Sequence, residues 1–380
     1  MSTTAGAEPI DTAALVEGIV RWVEIESPTS DKAAVNRMID RVQHDLSGLP
    51  IKLERAASQG RFADILTARL AGAADGPGIL ILSHVDTVHP IGTIRGELPV
   101  RRDGDKLYGP GVFDMKGGAY LAMEAFRRVA RAGWARLPVT FMFTPDEEFG
   151  SPASRAPIEA EARKNRYVLV TEPARDGGKV VTARKGVGRF EITAKGVPAH
   201  SGARHRDGRS AIKEMARQVL AIEAMTDYAR GITTTVGMIA GGTAPNVIPE
   251  HCRITADLRV PDAAAGRELE ARILGLKTFD PDVKLTITGG MNRPPYEKTP
   301  AVAALLDHAR ACAQALGFDL ADTEMTGGGS DGNFTAALGI ATLDGLGIDG
   351  DGAHTHWEHA LISSIVPRLQ LMQRMLETLE

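Results

Sequence analysis

Apolar runs that stop abruptly at histidine or carboxylate punctuate this chain. Gly78–Ser83 runs into His84-Val85-Asp86, Val139–Thr144 into Pro145-Asp146-Glu147-Glu148, and Tyr167–Thr171 into Glu172. Each run is short, continuous and bounded like a buried strand. Around them the period lengthens. Leu15, Ile19, Trp22 and Val23 share one face of a helix predicted over 10–24. Asp31 is placed to cap a second helix, whose apolar face is Val35, Met38, Ile39, Val42 and Leu46. Further strands are predicted at 64–70 and 78–83, and a helix opens at Gly117-Gly118 and runs to about Arg131. A helix near 156–165 lies between the strands at 139–144 and 167–171. This alternation defines an α/β fold, in which buried strands are usually parallel and ligands gather outside their carboxyl ends.

The pattern changes near Lys185. Strands at 188–195, 232–240, 250–260 and 282–288 and helices at 207–225 and 263–275 follow the order βαββαβ, that of a ferredoxin-like unit. Along 250–260, Cys252, Ile254, Ala256, Leu258 and Val260 alternate with His251, Arg253, Thr255, Asp257 and Arg259. One covered face and one open face fit an antiparallel sheet. After Pro294-Pro295 the α/β character returns: a helix at 300–316, a glycine loop at 327–329, a strand near 340–343 and a helix from about 362. The architecture is therefore a discontinuous domain, 1–184 and 296–380, interrupted by a smaller one at 185–295.

Convergence of His84, Asp86, Glu147, Glu148 and Glu172 on one sheet edge would crowd like charges, which disfavours ionisation. A metal cation is the simplest compensation, and mixed imidazole and carboxylate ligands suit zinc. Composition excludes competing classes. The 380 residues are 43% apolar and 24% charged with a net charge of -4, so nothing favours nucleic acid or an anionic membrane. Two cysteines, Cys252 and Cys312, fit a reduced compartment. The start, Met1 to Pro9, lacks the charged and apolar regions of a secretory signal, so a cytoplasmic enzyme is expected. The glycine loop lacks the lysine and spacing of a phosphate-cradling loop, which disfavours a nucleotide-binding enzyme. Trp22, Trp134 and Trp357 read as core or packing residues, and His89 as an ordinary surface or packing histidine.

The ordered motifs His84-x-Asp86, Gly109-Pro110-Gly111-x-x-Asp114-x-Lys116-Gly117-Gly118, Asp146-Glu147-Glu148-x-Gly150-Ser151 and Glu172-Pro173 resemble the M20 family of co-catalytic zinc peptidases and amidohydrolases. Within it the likeness is greatest to bacterial glutamate carboxypeptidases of the G type. His200-Ser201-Gly202, Asn246-x-Ile248-Pro249, Asp257-x-Arg259 and Gly327-Gly328-Gly329-Ser330-Asp331 extend the match.

The resemblance implies a zinc-peptidase-like catalytic domain with an inserted dimerisation domain, hence a homodimer. It implies two zinc ions per chain, with cobalt or manganese as substitutes. Asp114 would bridge them; His84 and Glu172 would complete one site, and Glu148 and His354 the other. His356 is the competing choice for the last ligand. Glu147 would be the general base, and Asp86 would orient His84. His200 of the partner subunit would stabilise the oxyanion. Asn246, Arg259, Arg293, Gly328 and Gly329 would meet substrate, with Arg259 gripping a carboxylate through a two-pronged contact. A cis Asp114–Met115 peptide is also implied.

The implied activity is release of a C-terminal amino acid from N-acyl or N-peptidyl amino acids. A biosynthetic deacylase of the acetylornithine or succinyl-diaminopimelate kind is the near alternative. An inactive binding scaffold is the distant one, and the retained base and ligands count against it.

Overall fold

A computed structural model describes residues 9–58 and 60–380. The chain divides into two compact units, one of residues 1–182, 298–324 and 330–380, the other of 183–297 and 325–329. The sequence pattern puts the glycine loop in the 296–380 segment, whereas Gly327–Gly329 belong to the second unit.

The first unit begins with α1 (Thr12–Val23) and α2 (Lys32–Asp45). The Asp11 and Asp31 carboxylates accept from backbone N–H groups of the first turn of each, satisfying donors that lack an intrahelical partner. Strands β1 (Lys52–Ala56), β2 (Ile65–Leu70) and β3 (Gly78–His84) follow, then the short β4 (Arg101–Asp103) and β5 (Lys106–Tyr108). Next come α3 (Gly117–Ala132), β6 (Val139–Thr144), α4 (Arg155–Ala162) and β7 (Asn165–Val170).

The second unit contributes β8 (Gly186–Lys195), β9 (Ala199–His200), α5 (Ala211–Glu223), β10 (Thr233–Gly241), β11 (Val247–Ile248), β12 (His251–Val260), α6 (Ala263–Leu274) and β13 (Lys284–Arg293). The chain then returns to the first unit as α7 (Pro300–Ala315), α8 (Gly332–Ala337), β14 (Ala341–Leu343), β15 (Gly350–Asp351), β16 (His359–Leu361) and α9 (Ile365–Thr378).

The first unit is built on a six-stranded sheet of order β1-β2-β6-β3-β7-β14. Strands β6, β3, β7 and β14 are parallel, while β2 is antiparallel to β6 and β1 to β2. All residues of β3 and β6 are buried, as their continuous apolar runs require. Because β3 sits between β6 and β7, the segments after these three strands emerge side by side.

The second unit carries a four-stranded antiparallel sheet of order β10-β12-β8-β13. Its core joins Cys252, Ile254, Ala256, Leu258 and Val260 to apolar residues of α5 and α6. The opposite face of β12 is exposed or half-buried, as the alternation predicts.

Three elements depart from the pattern. Strand β1 has no apolar alternation, because it is a charged edge strand, Lys-Leu-Glu-Arg-Ala, of the kind that resists edge-to-edge pairing. Strand β13 continues past the predicted end at 288. Gly289 lies at φ +119, where an added Cβ would sit 2.2 Å from the Arg189 carbonyl oxygen. The glycine pair thus permits close strand approach and does not end the strand. Helix α5 starts at Ala211 and not at 207, since the Ser210 hydroxyl caps it at Lys213. Among the described residues no helix is long and apolar enough to cross a membrane.

Candidate metal centre

The three apolar strands deliver their chemistry to one edge, within the first unit. His84 ends β3, Glu147 and Glu148 form a 3-10 turn just after β6, and Glu172 follows β7. Asp114 comes from the segment before α3, and its peptide bond to Met115 is cis. His84 Nε2 lies 3.1 Å from Asp114 Oδ1 and 3.8 Å from Glu172 Oε1. On the other side of Asp114, His354 Nε2 lies 3.4 Å from Oδ2 and 3.2 Å from Glu148 Oε2. His84, Asp114 and Glu148 offer ligand atoms all within 4.8 Å of one another, as do His84, Glu147 and Glu172. Each oxygen of Asp114 therefore faces a different imidazole.

His354 reaches this position from a backbone φ of +64, a left-handed conformation uncommon for a residue with a side chain. His356 points elsewhere, with its Nε2 4.0 Å from Glu97 in an exposed pair. Of the competing histidines, the structure brings His354 to the cluster.

The electrostatics suit a bound cation. Burial works against protonation of His84, but hydrogen bonds to Asp114 and Asp86 hold it well above its ordinary value. Hydrogen bonds to Asp114 and Glu148 push His354 up to about 11. Burial disfavours the Asp114 charge, yet the two imidazoles hold that carboxyl well below its usual range. Burial, with the Asp114 charge beside it, raises Glu148. Glu148 Oε1 is buried without a hydrogen-bond partner. An orphaned carboxylate oxygen beside two imidazoles and further carboxylates is a donor set that fits zinc.

Asp86 does more than its spacing suggests. His84 Nδ1 is 3.0 Å from the Asp86 backbone oxygen and 3.5 Å from its carboxylate. The carboxylate meanwhile accepts from the backbone N–H groups of Glu147 and Glu148, at 3.3 and 3.2 Å, and from the Thr29 hydroxyl at 2.7 Å. One buried residue thus fixes the imidazole through its backbone oxygen and the Glu147-Glu148 turn through its carboxylate. That turn is also anchored by Asp331, which accepts from Thr144 at 3.1 Å and from the Ser151 hydroxyl.

The remaining predicted residues lie in the second unit. His200 is exposed in β9, and its Nδ1 accepts from the N–H groups of Gly202 and Ala203 at 3.2 and 3.1 Å. Asn246 is exposed, and its carbonyl accepts from Ser201 N–H at 3.0 Å. Arg293 is buried, with its Cδ 2.6 Å from where a Cβ on Gly329 would stand. The Gly328 carbonyl accepts from the buried Arg184 at 3.1 Å.

Arg259 is engaged within the chain. Its Nε and Nη2 fork is engaged by Asp257 at 2.7 and 3.0 Å, and Nη1 donates to the Gly327 carbonyl at 3.1 Å. Residues i and i+2 share one face of a strand, so the pairing is local.

Two further expectations are narrowed. Trp357 is 51% exposed, so it packs at the surface, its ring 6.1 Å from that of His359, and is not a core residue. His89 is 5% exposed and paired with Glu358, not an ordinary surface histidine.

A buried imidazole and an exposed one, His84 and His354, converge with carboxylates outside the strand ends, as a metal-dependent hydrolase requires. Comparison with known proteins agrees. The family model described as Peptidase family M20/M25/M40 matches residues 80–378, and the chain belongs to that family. It is 30% identical over 371 residues to carboxypeptidase G2 of Pseudomonas sp. (strain RS-16), covering 96% of this chain and 88% of the relative. It is 32% identical over 206 residues to acetylornithine deacetylase of Myxococcus xanthus, covering 51% of this chain and 53% of that one. The fold matches the M20 family metallo-carboxypeptidase Sso-CP2 from Sulfolobus solfataricus with a TM-score of 0.73 and 16% identity, covering 97% of this chain and 99% of that one.

Proposed function

We propose that this chain is a di-zinc hydrolase that cleaves the amide bond next to a free carboxylate and releases the C-terminal amino acid. Its substrates are N-acyl or N-peptidyl amino acids. The observation that carries the reading is the placement of Asp114, with one carboxylate oxygen toward His84 and the other toward His354. A carboxylate shared in this way suits a bridging ligand. His84 and Glu172 would then hold one ion, and His354 and Glu148 the other. Bound zinc supplies a lowered water pKa and polarises the scissile carbonyl.

The chain's own groups do the rest. Glu147, beside His84 and Glu172, takes the proton from water and hands it to the leaving amine. Asp86 holds Glu147 and His84 in register through the bonds described above.

The partner subunit's His200 is assigned to the oxyanion. In support, Nδ1 of His200 accepts two backbone N–H bonds, so the neutral ring carries its proton on Nε2, ready to donate. Strand β10 lies at the outer edge of its sheet and exposes Met238 and Ile239 by 64% and 60%, a surface suited to a second copy of the chain. Asn246, Arg259, Arg293, Gly328 and Gly329 are assigned to the substrate. Of the five donors of Arg259, three are engaged within the chain, so its contact uses the outer N–H groups and not the fork. The enzyme is assigned to the cytoplasm.

The similarity to carboxypeptidase G2 favours the carboxypeptidase reading, and that to acetylornithine deacetylase favours the deacylase alternative. A panel of N-acyl-glutamate, N-acyl-arginine and N-acetylornithine separates them. Preference for the glutamate substrate supports the first reading, and preference for N-acetylornithine replaces it with the second. Cleavage of none of the three after zinc is added back contradicts both.

A further inference from the structure

The candidate ligands lie on several loops, and one buried carboxylate ties three of those loops together. Glu358 is 1% exposed. Its Oε1 accepts from the backbone N–H groups of Phe113 at 2.9 Å and Asp114 at 3.0 Å. Its Oε2 accepts from Gly111 N–H at 3.0 Å and from His89 Nε2 at 2.7 Å. Every donor comes from a segment that carries a ligand. His89 follows His84 on the loop after β3, Asp114 is itself one of the donors, and Glu358 follows His354 in the third loop.

The backbone is shaped to hold this carboxylate. Gly111 stands at φ +73, and a Cβ there would lie 2.5 Å from Thr87 Cγ2. The left-handed residue turns nearby N–H groups inward, and such a nest is an anion-binding concavity. The anion it holds belongs to the chain. With both oxygens engaged by donors, Glu358 is poorly suited to be a metal ligand. A carboxylate that needed only to be satisfied could take its donors from one neighbouring turn. Here they come from two loops far apart in sequence from Glu358, 269 residues away in the case of His89.

Resting on the metal-centre reading above, we propose that the His89–Glu358 pair is a positioning clamp. It holds the loops of His84, Asp114 and His354 in the spacing that binds metal, without touching the metal itself. Glu358 and His89 are positioning residues, and the quantity they set is metal affinity.

The test is zinc affinity of the full-length, metal-free chain, measured by competition with a chromophoric chelator. The set is wild type, Glu358→Gln, His89→Leu and His89→Gln. An amide at position 358 places an N–H2 group where an oxygen accepted, so at least one backbone N–H is left facing a donor. Glu358→Gln should weaken zinc binding about 10–100-fold, as loss of a group that supports a ligand does elsewhere. His89→Leu should weaken it in the same direction. His89→Gln, whose amide N–H stands in for Nε2–H, should return affinity toward wild type. The thermal midpoint of the metal-free protein is recorded alongside. A merely structural role lowers that midpoint and leaves the affinity of the folded fraction alone, and that result overturns the clamp. Wild-type affinity in both Glu358→Gln and His89→Leu also overturns it. Should Glu358→Gln not fold, His89→Leu and its glutamine rescue decide by the same criterion. A wild-type chain that binds no zinc removes the metal-centre reading instead, and the clamp with it.

Discussion

Two groups of buried charge lie on the same sheet and are neutralised in opposite ways. Near the start of β6, Arg69 of β2 grips Glu161 of α4 through both carboxylate oxygens, at 2.6 and 2.9 Å, while its Nε reaches Glu54 at 3.0 Å. Burial works against ionisation of Glu161, yet the Arg69 and Lys164 hydrogen bonds hold it down to about 2. A guanidinium cannot be deprotonated in a protein, so this neutralisation is permanent. At the opposite edge, where β3, β6 and β7 end, Asp114 and Glu148 meet His84 and His354. Imidazoles give up their protons near neutrality unless carboxylates hold them, and here they are held. A metal can displace those protons, whereas it cannot displace Arg69. One edge is thus closed by the chain's own cation, and the other is left exchangeable.

The largest expected effect breaks the exchangeable edge without emptying it. Glu147→Ala should lower kcat by about 10²–10⁴-fold, the range for loss of a general base, while metal content stays at the wild-type value. Steady-state kinetics beside metal analysis measures both, and unchanged turnover would mean that another group takes the proton. His354→Ala should leave one of the two ions behind and remove most activity. Equal metal content and rate in that variant would hand the ligand role to another residue.

A smaller effect sharpens the contrast at the permanent edge. Glu161→Gln should cost about 1.5–3 kcal/mol at neutral pH, the range for hydrogen bonds to a charged group, with no change in metal content. The sign of its pH dependence follows from a depressed carboxyl. The stability is fully present above the ordinary value of 4.5 and is lost as pH falls through about 2, so wild type and variant converge in acid. Denaturant melts from neutral pH downward measure this, and a gap that widened in acid would contradict the account.

Much of this contrast is legible in the chain itself, for a physical reason. A fully buried strand must be continuously apolar, so a histidine or acid at its end marks a place where the environment changes. That is why the strand pattern alone groups His84, Glu147, Glu148 and Glu172. The helix start at Asp31 is equally readable, because a cap acts through local hydrogen bonds. What stayed hidden is non-local or locally ambiguous. Glu358 and His89 are 269 residues apart, and nothing in either segment names the other. The sequence places Asp257 two residues from Arg259, but only the geometry shows that this carboxylate engages the guanidinium fork. Strand β1 was invisible because an edge strand made of charges has no apolar alternation. The strand predicted at 282–288 extends to Arg293 because glycine both ends strands and permits their close approach, and its pattern alone does not say which.

The most direct test of the central claim is zinc titration of the metal-free chain by calorimetry, with the protons released counted in buffers of different ionisation enthalpy. Binding of two ions per chain with proton release is the predicted result, because zinc takes the place of protons on His84 and His354. Binding without proton release, or no binding at all, would contradict it.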